Sequence, residues 1–213
     1  MNVLLAGQKY FGRAVLEMML GLPGIAVVAA SAPIAGEDKL AIYASQKGVP
    51  LIPAGTLRAR NVPHGTDLIV AAHSHDFISE KTRHRANYGA IGYHPSLLPI
   101  HRGRDAIRWA IHNRERITGG TVYWLTNGVD CGPVLAQRHV FIRPDDDPTT
   151  LWRRELLPLG LELLSGVLLE FAEKGPRPGV RQSQRLATWE PAFGVPPLHR
   201  PDLLMLPAPA GGA

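Results

Sequence analysis

The chain of 213 residues has a single cysteine, Cys131, so no intramolecular disulfide can brace it, and such usage fits a reducing compartment. Long apolar runs are missing as well. No stretch reaches the roughly 18 residues of a membrane span, and Met1 to Gly7 carries neither a basic leader nor an extended apolar segment. The expectation is a cytoplasmic protein with no membrane association. Charge is not gathered into blocks: the net charge is +5, but lysines and arginines are dispersed. The densest group, Lys81, Arg83, His84 and Arg85, reads as a solvated helix face. No nucleic-acid partner is expected, whereas an anionic small substrate suits the positive field. With 45% hydrophobic and 19% charged residues the chain has the make-up of an ordinary globular protein, long enough to bury a full core.

Two further deficits concern cofactors. Gly7-Gln8-Lys9-Tyr10-Phe11-Gly12 lacks the middle glycine of a dinucleotide fingerprint, and Ser31-Ala32-Pro33 stands where a ribose-binding carboxylate is wanted. A nicotinamide cofactor is therefore not expected, and the stretch reads as a tight turn opening a helix. In His73-Ser74-His75-Asp76 the two imidazoles of an extended segment would face opposite ways. No further histidine or cysteine stands at ligand spacing, so no metal is expected. A loop that lines a pocket through its backbone is the better account.

What is present is a rhythm of strands and helices. Asn2 to Ala6, Ile25 to Ser31, Val49 to Ile52, Asp67 to Ala72 and Ala90 to Tyr93 read as strands, with Phe11 to Leu20 and Lys39 to Lys47 as helices between them. Asp105 to Asn113 is a further helix. Thr121 to Leu125 and Val134 to Phe141 alternate like strands. Residues 149 to 173 give the longest helical pattern, with Pro158 expected to kink or divide it. The fold class is α/β, a mostly parallel twisted sheet flanked by helices, with ligands expected at the strands' carboxyl ends. Residues 1 to 191 form one catalytic domain in this reading, and 192 to 213 an extended, partly disordered tail.

Two turns that follow strands carry the chemistry. His94 lies in Tyr93-His94-Pro95-Ser96-Leu97-Leu98-Pro99 and Asp130 in Asn127-Gly128-Val129-Asp130-Cys131-Gly132-Pro133, about 36 residues apart. Proline and glycine restrict both backbones, so the imidazole and the carboxylate are expected to face one cleft at the sheet edge. Taken singly, His94 reads as a loop histidine satisfied by neighbouring carbonyls and Asp130 as a turn aspartate capping its own loop. Arg102 and Gly103 read as structural residues that begin a helix, and Cys131 as packing.

Those motifs, with Ile100-His101-Arg102-Gly103, Trp109-Ala110-Ile111, Gly120-Thr121-Val122 and Ala187-Thr188-Trp189-Glu190-Pro191 in the same order, resemble the formyltransferases that use 10-formyltetrahydrofolate. Within that family the wording is most similar to the hydrolase domain of 10-formyltetrahydrofolate dehydrogenase. The resemblance covers roughly residues 1 to 191. It implies a Rossmann-like formyltransferase fold and a folate cleft. Ala72, His73, Ser74, His75, Asp76 and Phe77, with Leu125, Thr126, Asn127 and Val129, would hold the pterin, chiefly through backbone groups. Tyr93 would fill space beside the formyl group, with core packing as the other reading. His94 and Asp130 carry over as catalytic residues, whereas the asparagine that most members place two residues before the histidine is here Gly92.

The resemblance implies 10-formyltetrahydrofolate as formyl donor, tetrahydrofolate as product and an amine of a small molecule as acceptor. Water as acceptor, which makes the protein a hydrolase, remains open. So does a folate-binding or interaction domain without turnover. In the mechanism expected here, His94 donates to the developing oxyanion and Asp130 relays the proton, with Ser96 or a loop amide positioning His94. A homodimer is compatible with the extended tail.

Overall fold

A computed structural model describes residues 1–34, 36–74 and 76–193. Seven strands form one sheet in the order β3-β2-β1-β4-β5-β6-β7. They are β1 (Asn2–Gly7), β2 (Ala26–Ala32), β3 (Leu51–Pro53), β4 (Leu68–Ala72), β5 (Gly89–His94), β6 (Ile117–Trp124) and β7 (Val134–Phe141). The first five run parallel, and β6 and β7 return antiparallel. The crossovers hold α1 (Lys9–Gly21), α2 (Lys39–Gln46) and α3 (Glu80–Arg83), followed by α4 (Ala106–His112), α5 (Pro148–Leu151) and α6 (Leu157–Lys174). This is the expected α/β class.

The sheet is covered unequally. On one face, Phe11, Val15 and Met19 of α1, Leu40 and Ala44 of α2, and Leu164, Val167 and Phe171 of α6 pack on Val3, Leu5, Val70, Ile91, Tyr93 and Val122. The other face carries Leu4, Ala6, Ile69 and Ala90, covered by Leu57, Val62, Ile78 and Ala86 from loops and the α3 region. Side chains alternate along a strand, so in β5 the odd residues Ile91 and Tyr93 enter the thick layer. Gly92 and His94 face the thinly covered side, and a side chain reaches a cleft there.

The long C-terminal helical pattern is divided as expected. A π-helical turn at Trp152–Leu156 separates α5 from α6, and Leu157 N donates to Trp152 O across the wider loop just before Pro158, which has no N–H to give. Arg83 departs from the solvated face expected of its cluster. It is buried, donating to Ile78 O at 2.7 Å and to Asn127 Oδ1 at 2.6 Å, because its fork meets two acceptors on loops that flank the cleft. Gly103 does not begin a helix either: α4 starts at Ala106, after a loop that continues through Asp105. The tail expected over 192 to 213 lies outside the described residues from 194 onward. Among the described residues, no helix is long and apolar enough to cross a membrane.

Candidate active site

The parallel strands end on one edge of the sheet, where the loops after β4 and β5 lie; β6 runs the other way, and the turn after it folds back along the thinly covered face to bring Asp130 to His94. His94 is the last residue of β5, and its buried ring has a defined orientation. Nε2 lies 2.7 Å from the main-chain oxygen of His101, which can only accept, so Nε2 carries the proton and donates. Nδ1 is the nitrogen left facing the cleft, 3.6 Å from Asp130 Oδ2. The imidazole and carboxylate that the sequence placed in separate turns therefore stand side by side.

His101 itself is buried, between Glu115 Oε1 at 2.7 Å from Nε2 and Glu190 Oε1 at 3.0 Å from Nδ1. Its position fixes the carbonyl that holds His94. Ser96 does not touch the His94 ring: its hydroxyl donates to Ile100 O at 2.6 Å, one residue short of that carbonyl. Thr121 Oγ1 donates to Ser96 O at 2.7 Å and accepts from Leu98 N at 3.2 Å, tying the loop to β6.

Asp130 adopts φ 49°, a left-handed conformation that aspartate tolerates better than most residues. Its carboxylate is held from two sides, with Tyr123 Oη donating to Oδ1 at 2.5 Å and Gly103 N donating to Oδ2 at 2.7 Å. Gly103 sits at φ +92°, which only glycine enters freely, and that conformation turns its N–H onto the carboxylate. Burial, with the Asp130 charge added, pushes the Tyr123 hydroxyl well above the usual tyrosine range, so it stays a donor. Gln182 then fastens the turn from outside. Its Nε2 donates to Asp130 O at 2.9 Å and Gly132 O at 2.7 Å, while its Oε1 accepts from Arg102 Nε at 3.0 Å and Nη2 at 2.7 Å. Arg102 also reaches Gln184 Oε1 at 2.9 Å and lies over the Trp189 ring, with burial drawing its pKa below the usual guanidinium value.

The remaining residues singled out by sequence divide. In the loop after β4, Ser74 Oγ accepts from Asp76 N at 3.0 Å. The Asp76 carboxylate accepts from the Ser31 hydroxyl at 2.7 Å and from Gly55 N at 2.6 Å, so it anchors the loop to the ends of β2 and β3. Ala72 is buried at the end of β4, His73 turns the chain at φ 59°, and Phe77 is exposed. His75 lies outside the described residues. Beyond β6, Leu125 packs under Gly92, Thr126 Oγ1 lies 3.3 Å from Cys131 Sγ, Asn127 bridges Arg83 and Glu80, and Val129 is exposed. Tyr93 is not brought to the cleft. Strand alternation turns it into the thick layer, where it packs on Phe11 and its hydroxyl donates to Leu156 O at 2.6 Å. Burial raises its pKa.

A cavity of about 400 Å³ opens beside the same edge, lined by Gly55, Arg58, Asp76, Phe77 and Ser79. Neither His94 nor Asp130 lines it, so it does not contain that pair. The Gln8 side-chain nitrogen in the turn after β1 is buried and has no hydrogen-bond partner among the described residues. Sequence reasoning missed Tyr123, the Gly103 amide, the His101 carbonyl and Gln182. The alternation of Thr121-Val122-Tyr123 places Tyr123 on the opposite side from the core-facing Val122, which is a usable signal for the first. Gln182 offers no local signal, because its role depends on a segment returning across the sheet edge.

Residues 56–164 match the formyl transferase family model. The cytosolic 10-formyltetrahydrofolate dehydrogenase of Xenopus tropicalis is 30% identical over 203 residues, covering 90% of this chain and 22% of that protein. Methionyl-tRNA formyltransferase of Caldanaerobacter subterraneus subsp. tengcongensis is 38% identical over 125 residues, covering 59% of this chain and 40% of that protein. The chain thus spans about a fifth of the length of the dehydrogenases it matches. Among solved structures, glycinamide ribonucleotide transformylase 1 from Symbiobacterium toebii aligns with TM-score 0.71 at 23% identity, covering 85% of this chain and 93% of that one. An N-formyltransferase from Helicobacter canadensis, in complex with folinic acid and dTDP-3-aminofucose, aligns with TM-score 0.70 at 17% identity, covering 88% and 70%. The structural likenesses establish the shared architecture, the sequence matches extend it to descent, and the chain belongs to the formyl transferase family.

Proposed function

We propose that the protein takes the formyl group of 10-formyltetrahydrofolate and passes it to an amine of a small-molecule acceptor, with His94 and Asp130 as the catalytic pair. The observation that carries this reading is the approach of His94 Nδ1 to Asp130 Oδ2, 3.6 Å apart at the carboxyl end of β5. A nucleophile hydrogen-bonded to Asp130 Oδ2 at about 2.8 Å leaves His94 Nδ1 for the formyl oxygen. The Asp130 carboxylate accepts the proton that the attacking nitrogen sheds as its bond to the formyl carbon forms. When protonated at Nδ1, His94 donates to the formyl oxygen as charge gathers there. The bond to the folate nitrogen then breaks, Asp130 returns the proton to that nitrogen, and tetrahydrofolate leaves. Residues 72–77 and 125–130 supply the backbone groups for the pterin in this reading.

Hydrolysis is the second reading, favoured by one feature of the α1 turn. Asp38 Oδ2 accepts from Lys9 N at 2.7 Å, so a carboxylate of the chain, and not an anionic group of an acceptor, satisfies this helix start. Incubation of the purified protein with 10-formyltetrahydrofolate, with and without amines, separates these cases through the release of tetrahydrofolate. Release that requires amine supports transfer, and release without amine supports hydrolysis. Binding without release makes the protein a folate-binding domain and sinks both. His94→Ala and Asp130→Asn should each lower turnover by roughly 100-fold or more, the scale of a lost acid–base group.

A further inference from the structure

Gly92 and Tyr123 are directly paired across β5 and β6, on the face that carries His94. A Cβ on Gly92 would lie 3.5 Å from Tyr123 Cε1, 3.6 Å from Tyr123 Oη and 3.1 Å from Leu125 Cδ2. The phenol ring thus lies beside the bare backbone at Gly92 at ordinary contact distance, and its hydroxyl ends 2.5 Å from Asp130 Oδ1. From this juxtaposition we propose that Tyr123 is a positioning residue for the reaction: its hydroxyl orients the Asp130 carboxylate toward His94. The inference rests on the reading of His94 and Asp130 as the catalytic pair.

The geometry gives each carboxylate oxygen its own donor. Gly103 N takes Oδ2, which faces His94 Nδ1, and Tyr123 takes Oδ1, so the carboxylate cannot rotate without breaking both bonds. A ring buried at 5% exposure returns to the same place each time, unlike a surface side chain or a water. Tyr123 sits on β6 and the residue it orients sits in the turn after β6, so one strand supplies both the carboxylate and its brace.

Tyr123→Phe keeps the ring and removes only the hydroxyl. The expected result is a fall in kcat of roughly 10- to 100-fold, with the KM for the formyl donor close to that of the wild type. A second readout needs no turnover: in the wild-type proton NMR spectrum the buried phenolic proton should exchange slowly and resonate downfield of the amides. That signal should vanish in Tyr123→Phe and move upfield in Asp130→Asn. An unchanged kcat in Tyr123→Phe overturns the proposal, as does a fall in kcat matched by an equal loss of donor affinity. Absence of the downfield proton from the wild type overturns it too. If the wild type releases no tetrahydrofolate, the functional reading fails, and the resonance still decides whether Tyr123 orients Asp130.

Discussion

Gln182→Ala tests whether the clamp between the two loops stabilises the protein and its site together. The substitution deletes two hydrogen bonds to the Arg102 guanidinium and two to the carbonyls of Asp130 and Gly132. Bonds to a charged group contribute about 1.5–3 kcal/mol each and neutral ones about 0.5–1.5. Set against this, about 2 kcal/mol of side-chain entropy is regained, and Gln182 is only half-buried, so water replaces part of what is lost. Arg102 is 2% exposed and keeps Gln184 and the Trp189 ring. A net loss of about 2–4 kcal/mol follows, read by urea denaturation as a lower midpoint at constant slope. Activity should fall as well, by about 10-fold, because Asp130 loses the anchor on its main chain. Gln182→Glu sharpens the test: it still accepts from Arg102 but offers no donor to either carbonyl, so it should recover stability and not kcat. A Gln182→Ala protein within about 0.5 kcal/mol of the wild type, with unchanged kcat, would refute the clamp.

Other consequences can be checked separately. Tyr93→Phe leaves the buried Leu156 carbonyl without the bond it accepts at 2.6 Å, and should cost about 1–3 kcal/mol in chemical denaturation while donor KM stays put, since the ring faces away from His94. Gly160→Ala would set a methyl 2.7 Å from Tyr93 Cε1 and 3.0 Å from Phe11 Cζ, so it should destabilise by about 1–3 kcal/mol, seen as a lower Tm. Asp67 is held below its usual range, first by the amide of Asn2 at 2.7 Å and then by Asn87. Its folded-state pKa being depressed, its contribution is present above about pH 4 and disappears as pH falls through the folded value. Asp67→Asn should therefore differ from the wild type at neutral pH and converge with it in acid; a constant gap in urea midpoint across that range would contradict the assignment.

Much of this fold is legible in the chain because its signals are local. The apolar run from Asn2, the spacing of Phe11, Val15 and Met19, and the alternation in Val134 to Phe141 each report an element without help from elsewhere. β6 begins at Ile117, four residues before its expected start at Thr121, because Gly119 and Gly120 weaken a strand signal that pairing with β7 overrides. At the site, the turns bearing His94 and Asp130 were legible from proline and glycine. The groups that aim those side chains were not: the His101 carbonyl has no side-chain signature, and Gln182 acts from more than fifty residues beyond Asp130. Tyr93 shows the limit of reading a motif as a string, since neighbours in a strand belong to opposite faces.

The parity of β5 gives that last point a wider meaning. One strand delivers an anchor for the helical layer and, at the next residue, the imidazole that faces Asp130. A deletion or insertion of one residue inside it would exchange their destinations, driving a phenol toward Asp130 and a polar ring into the apolar interior. The hinge-like freedom to drift in length, which surface loops enjoy, is denied to these six residues. Variation in such a protein should therefore accumulate in the rims of the cleft and leave the spacing of its central rail untouched.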